Sequence, residues 1–168
     1  MGKPVKAVYQ ISRSVSVAKR AAVGQVCVDF AILEWAVDRS IWALKGHDRK
    51  SGRVLTQTFL TKERVRELSK AAHARFGTGS KGNKEYGELC KEITKIAKVR
   101  NLAVHGLWAK SARRGERNKS WILTYFKNPS GTATLVKRSE FYALSEDIRK
   151  LEFSLHAASL KHLGAPLP

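Results

Sequence analysis

Apolar side chains recur at three- and four-residue steps along four stretches of the chain, and that period predicts helices. In the longest, from about Val15 to Lys45, Val26, Phe30, Leu33, Val37, Ile41 and Leu44 fall on one face. Ser12 or Ser14 is placed to cap its start through a hydroxyl, and Gly46, with Asp48 and Gly52 close behind, marks its end. Val65, Leu68 and Ala72 stripe a second helix over 61–76, where Thr61 stands as cap but Arg64 replaces the glutamate of a full capping box. Gly77–Asn83 reads as a flexible loop. Tyr86, Leu89, Ile93, Ile96, Ala97 and Val104 mark a third helix that runs into Gly106. The last opens near Ser145 or Asp147, carries Ile148, Leu151, Leu155, Leu160 and Leu163, and stops at Gly164 and Pro166.

Between the last two helices the pattern changes. Lys110 to Lys119 is a basic turn, and the β-prone stretches 121–126 and 132–136 flank Asn128-Pro-Ser-Gly131, the composition of a small hairpin. Residues 1–14 have no clear period and are expected to form an N-terminal arm, leaving 15–168 as one helical domain. The expected fold class is all-α: an up-down bundle of four or so helices with a small β-hairpin inserted before the last one.

Charge narrows the function. Among 168 residues, 32 Lys and Arg face 14 Asp and Glu, a formal charge of +18. Such an excess favours polyanionic partners, because neutralising phosphates releases their counterions. A hydrophobic share of 43% is that of a folded chain and not of a disordered basic tail. Cys27 and Cys90 are too few for a disulfide scaffold and lack metal-ligand spacing, so no metal and no cofactor are expected. The glycines of Phe76–Asn83 are not followed by the lysine and hydroxyl residue of a phosphate-binding P-loop. No run is long and apolar enough for a membrane span, and the N-terminus lacks a signal-peptide pattern. A cytoplasmic protein is expected.

The segment Lys98-Val-Arg-Asn-Leu-Ala-Val-His-Gly-Leu-Trp108 is where chemistry is most plainly suggested. Asn101 and His105 lie one helical turn apart, and Arg100 is offset by one position. A histidine can move a proton near neutral pH, and an arginine can bind phosphate through two parallel hydrogen bonds. Together they suit cleavage of RNA by attack of the ribose 2′-OH on its own phosphate. His105 would be general base or acid, Arg100 would steady the charge at phosphorus, and Asn101 would orient the imidazole or a phosphate oxygen. One such pair is thin for a reaction that benefits from a separate acid and base, and a symmetric dimer would place two pairs across one cleft. Trp108 is a candidate cleft wall, and Lys110, Arg113, Arg114, Arg117 and Lys119 are candidates for a phosphate track leading to the site.

The pattern Arg100-Asn-Leu-Ala-Val-His105-Gly, near the end of a helix in a small bundle, resembles the R-x(4–6)-H signature of the HEPN superfamily of ribonucleases. By that resemblance Arg100 and His105 are the two signature residues and Asn101 the polar follower. It implies a homodimeric, metal-independent endoribonuclease with a composite cleft, whose products carry 2′,3′-cyclic phosphate and 5′-hydroxyl ends. A toxin or defence role is implied with it, under an antitoxin or other regulatory protein. One departure is that toxin members often carry a tyrosine two places after the histidine, which a nucleotidyltransferase partner modifies. Leu107 stands there instead.

Plainer readings accompany each feature. A basic helical module that binds RNA or a partner without chemistry also fits the charge. His47, His73, His156 and His162 read as surface groups. Trp35, Trp42, Trp108 and Trp121 suit buried anchors better than base-stacking platforms. Asp29, Glu34 and Asp38 are ordinary ion-pairing groups or, for Glu34 or Asp38, supports that orient Arg100 across the bundle.

Overall fold

The computed structural model describes residues 9–11, 15–105, 107–111, 120–124, 132–135 and 137–164, the strands among them by their backbones. Helix α1 (Val17–Lys45) begins at Ser16, whose hydroxyl accepts from the backbone N–H of Lys19 at 3.4 Å, and not at Ser12 or Ser14. It ends at Gly46, whose φ of 71° is the left-handed turn that glycine adopts without strain. The chain then does not pass straight into a loop. Asp48 caps a further helix, α2 (Arg49–Thr56), by accepting from Ser51 N–H at 2.8 Å.

Helix α3 (Thr61–Phe76) starts one residue earlier in register than the sequence suggested. Leu60 is the cap, so Glu63 occupies N3 and its carboxylate accepts the Leu60 N–H at 2.8 Å. Helix α4 (Lys81–His105) opens inside the expected loop, where the Ser80 hydroxyl accepts from Asn83 N–H at 3.1 Å. Helix α5 (Arg138–Leu163) begins seven residues before Ser145, with Glu140 accepting from Lys137 N–H at 2.6 Å. Ser145 is therefore interior to the helix, fully buried, and donates to Asp29 of α1.

The all-α expectation holds for the body of the molecule, in which α1 packs against the other four helices. Val26, Phe30, Leu33, Val37 and Ile41 of α1 meet Leu68 of α3, Ile93 of α4 and Ile148 and Leu155 of α5, all essentially inaccessible to water. At roughly 1.5–3 kcal/mol for each large side chain fully buried, this interior dominates the favourable side of folding. The two stretches expected as a small hairpin before the last helix do pair antiparallel, but as part of a larger sheet that the sequence did not suggest. Strands β1 (Tyr9–Ile11), β2 (Leu107–Ser111), β3 (Ser120–Thr124) and β4 (Thr132–Leu135) form one antiparallel sheet in that order. Tyr9–Ile11, read as part of an arm, pairs with Ala109–Ser111, and Trp121 stands opposite both Ala109 and Leu135. The turn residues Asn128–Gly131 lie outside the described residues. No described helix is long and apolar enough to cross a membrane.

Two features of the bundle give direct expectations. Cys90 is buried, near the Val65 carbonyl at 3.6 Å, and burial pushes its thiol up to about 11. The thiolate is the nucleophile, so native protein should lose one thiol to iodoacetamide at Cys27 and retain Cys90 until unfolded. Mass spectrometry of the alkylated peptides checks this, and equal labelling would contradict the packing.

Between α4 and α5, the Glu85 carboxylate accepts from Lys161 Nζ at 2.5 Å and meets His162 Nε2 at 2.9 Å. Those bonds hold its pKa below the ordinary value of 4.5. A carboxylate depressed in the folded state stabilises the fold above that ordinary value, and the gain disappears as pH falls through the folded pKa. Glu85→Gln should therefore melt lower than the parent at pH 6, and the two melting curves should converge in acid, as the pH falls below the depressed pKa of that carboxylate. A gap that persists unchanged in acid would show that the ionised carboxylate is not its source.

Candidate active site

Helix α4 delivers the Arg100–His105 segment as its last two turns, without a break. Asn101 and His105 share a face, as the period requires, and both are exposed. Arg100 lies five residues before His105, so its side chain leaves the helix about 140° around from the imidazole. It turns inward. The guanidinium carbon sits 4.5 Å from the centroid of the Phe30 ring on α1, a ring fully sealed from water. Nη1 donates to Asn101 Oδ1 at 2.7 Å, while Nε is buried without a hydrogen-bond partner among the described residues.

These contacts fix Arg100 in a defined pose. Stacking on an aromatic face is worth about 0.5–2 kcal/mol, more where water is excluded. The Asn101 carbonyl takes one of the five guanidinium N–H donors. Phe30 was expected only as a core residue. Its service as the platform for Arg100 was unreadable from sequence, because nothing local relates position 30 to position 100.

The carboxylates proposed to orient Arg100 do something else. Asp38 accepts from Arg64 Nε at 2.8 Å, and Glu34 lies 3.9 Å from Arg64 Nη1 and accepts from the Thr61 hydroxyl. Both serve α3. Burial raises the Asp38 pKa, and its bond and attraction to Arg64 oppose that rise. Asp29 accepts from Gln25 at 3.0 Å and from Ser145, with Arg149 Nε at 3.7 Å. It ties α1 to α5.

The other sequence candidates separate clearly. Trp42 is a buried anchor and Trp35 a half-buried one, packed edge to face with centroids 5.2 Å apart. His162 is pinned by Glu85, His156 lies 3.3 Å from Glu152, and His47 and His73 are exposed. Trp108 and Lys110 fall in β2, with Trp108 opposite Ile122 and Lys110 opposite both Gln10 and Ser120. Arg113, Arg114, Arg117 and Lys119 lie outside the described residues. Among the described residues, no group of three or more His, Cys, Asp or Glu could hold a metal ion.

Asn101 also stands at the end of a cleft of about 480 Å³ between α3 and α4, a feature the sequence reading missed. Comparison with protein-family models, curated proteins and solved structures finds no match. The HEPN resemblance therefore rests on the seven-residue motif and its setting at the end of a helix.

Proposed function

We propose that this chain is a metal-independent endoribonuclease of the HEPN kind. The observation that carries the reading is the end of α4. There an exposed His105 follows, within two turns, an arginine held by an aromatic ring and an asparagine. In the proposed reaction one imidazole removes the proton of a ribose 2′-OH, whose oxygen then attacks the adjacent phosphorus in line. The bond to the 5′-oxygen breaks, and that oxygen leaves with a proton from a second acid. The products are a 2′,3′-cyclic phosphate and a 5′-hydroxyl. Arg100 offers its remaining N–H donors to the phosphoryl oxygens as charge grows on them.

A homodimer supplies the second acid in this reading, as a second His105. Exposed Val99 and Val104 on the same stretch of α4 are apolar enough to contribute to such an interface. Lys110, Arg113, Arg114, Arg117 and Lys119 extend the proposed phosphate track, with Trp108 as a wall. A cytoplasmic toxin or defence role, restrained by an antitoxin or regulator, completes the proposal.

The test is direct. Purified protein in EDTA should cut a 5′-labelled single-stranded RNA, leaving new 5′ ends that polynucleotide kinase phosphorylates without prior dephosphorylation. An RNA that stays intact at every pH between 5 and 9, with dimeric protein in excess, would refute it. A second reading, a non-catalytic basic module for RNA or a protein partner, is favoured by one observation. The contacts of Arg100 with Phe30 and Asn101 are also those of an arginine that only holds α4 onto α1.

A further inference from the structure

Clefts open between the described helices, and they differ in charge. The one between α4 and α5 carries Glu92, Glu140 and Asp147 against Lys95, which makes it hostile to a polyanion. The one between α1 and α3 mixes cations with Glu67, already bonded to Lys45. The cleft between α3 and α4 has no acidic residue in its lining. Its half-buried floor includes Val65 and Ala97, and its exposed rim carries Lys62, Arg66 and Lys98. Lys62 and Lys98 form no ion pair among the described residues, and Arg66 feels only a through-space attraction to Glu67.

This combination has a chemical meaning. An apolar floor attracts a flat, weakly hydrated group, while three cations around it, none held in an ion pair among the described residues, attract charges carried on that same molecule. The opening residues of α3 add the positive end of the helix dipole, as Thr61 and Lys62 are its first two residues. A volume of about 480 Å³ lies within the range that accepts a small-molecule-sized group. A nucleobase with its flanking phosphates meets all of these demands. A base-paired strand does not, because its base faces are stacked and its edges paired inside the duplex.

We infer that the α3–α4 cleft is a subsite for one nucleotide of single-stranded RNA. The base rests on the Val65–Ala97 floor, and Lys62, Arg66 and Lys98 hold the adjacent phosphates. Asn101, shared by this cleft and by the Arg100 hydrogen bond, places the subsite beside the proposed cleavage motif. The inference rests on the nuclease reading for what becomes of the strand, but binding itself can be measured without cleavage.

The experiment uses full-length His105→Ala protein and a fluorescein-labelled 12-nucleotide oligouridylate, with anisotropy read over a salt series in EDTA. Reversing three rim cations (Lys62→Glu, Arg66→Glu and Lys98→Glu together) should weaken binding at least about tenfold at 150 mM salt. It should also flatten the slope of log affinity against log salt by about 2, from three phosphates at about 0.7 each. A control triple away from the cleft, Arg20→Glu, Lys50→Glu and Lys84→Glu, carries the same charge change and should cost much less. Ala97→Leu, which raises the floor, should weaken binding with the salt slope unchanged. If that variant misfolds by circular dichroism, exposed Thr94→Glu replaces it and should weaken binding.

A 4-thiouridine version of the probe should crosslink to peptides from 61–66 or 94–101. Equal losses from the two triples, an unaffected floor variant, or crosslinks confined to other helices would each overturn the subsite. Binding that behaves as stated in a protein that never cuts RNA would refute the nuclease reading and leave the subsite standing.

Discussion

Replacing His105 with alanine should lower the rate of RNA cleavage by about 10²–10⁴-fold, the usual contribution of a positioned acid or base. The fold should not notice. His105 is the exposed last residue of α4, so the variant's melting temperature should match the parent's. Arg100→Ala is expected to abolish cleavage as well, but with a second consequence. It removes the cation over Phe30 and leaves the exposed Asn101 carbonyl to water, so stability should fall by about 0.5–2 kcal/mol, mostly from the lost ring contact. The two effects must be separated.

Arg100→Lys separates them. A lysine retains the charge and much of the contact with the ring but has no planar fork for two phosphoryl oxygens. If Arg100 works on phosphate, Arg100→Lys melts near the parent and still loses most cleavage in single-turnover assays. If it only fastens α4 to α1, the lysine variant cuts at the parent rate and any loss tracks the melting temperature. Asn101→Ala should fall between, since it releases one nitrogen of Arg100 while leaving the ring contact. His105→Ala cutting at the parent rate would end the catalytic assignment outright.

How much of this could be read from the sequence depended on how local each determinant was. Long helices with a one-sided apolar stripe, such as that carrying Val26, Phe30, Leu33 and Val37, declare themselves because one helix face is enough to show the period. The 8-residue α2 is too short to show one, and its Gly52 looks like a helix breaker. Strand β1 pairs residues 9–11 with 109–111, and three residues facing a partner a hundred positions away leave no local signature. At the candidate site the common face of Asn101 and His105 was legible by the same helical arithmetic. The Phe30 platform and the cation-rimmed cleft were not, because each is made where two helices cross. Glu34 and Asp38 illustrate the converse error. Their charge was visible, but their partner, Arg64 of α3, was fixed only by how α3 docks on α1.

That docking logic makes Gly52→Ala the sharpest test of the fold. In an ordinary helix interior alanine is favoured over glycine by about 1 kcal/mol, so propensity alone says the change should stabilise α2. The packing says otherwise. A Cβ at Gly52 would lie 2.3 Å from Cγ of Trp42, far inside van der Waals contact. The ring has nowhere to go: it is fully buried, packed edge to face against Trp35, and its Nε1 donates to the Thr56 hydroxyl at 3.2 Å. Either α2 lifts from α1 or the indole rotates and gives up that hydrogen bond. Overpacking of this kind costs about 1–3 kcal/mol, occasionally more, and it outweighs the propensity gain. At about 2–4 °C per kcal/mol for a chain of this size, the melting temperature should drop by several degrees. Gly24→Ala and Gly87→Ala supply the contrast, since a Cβ at either meets nothing within 4 Å in α1 and α4. Those two should raise stability by about 0.5–1 kcal/mol. Opposite signs for the same substitution at helical glycines would locate α2 against Trp42. A Gly52→Ala protein as stable as its parent would mean that α2 does not pack there.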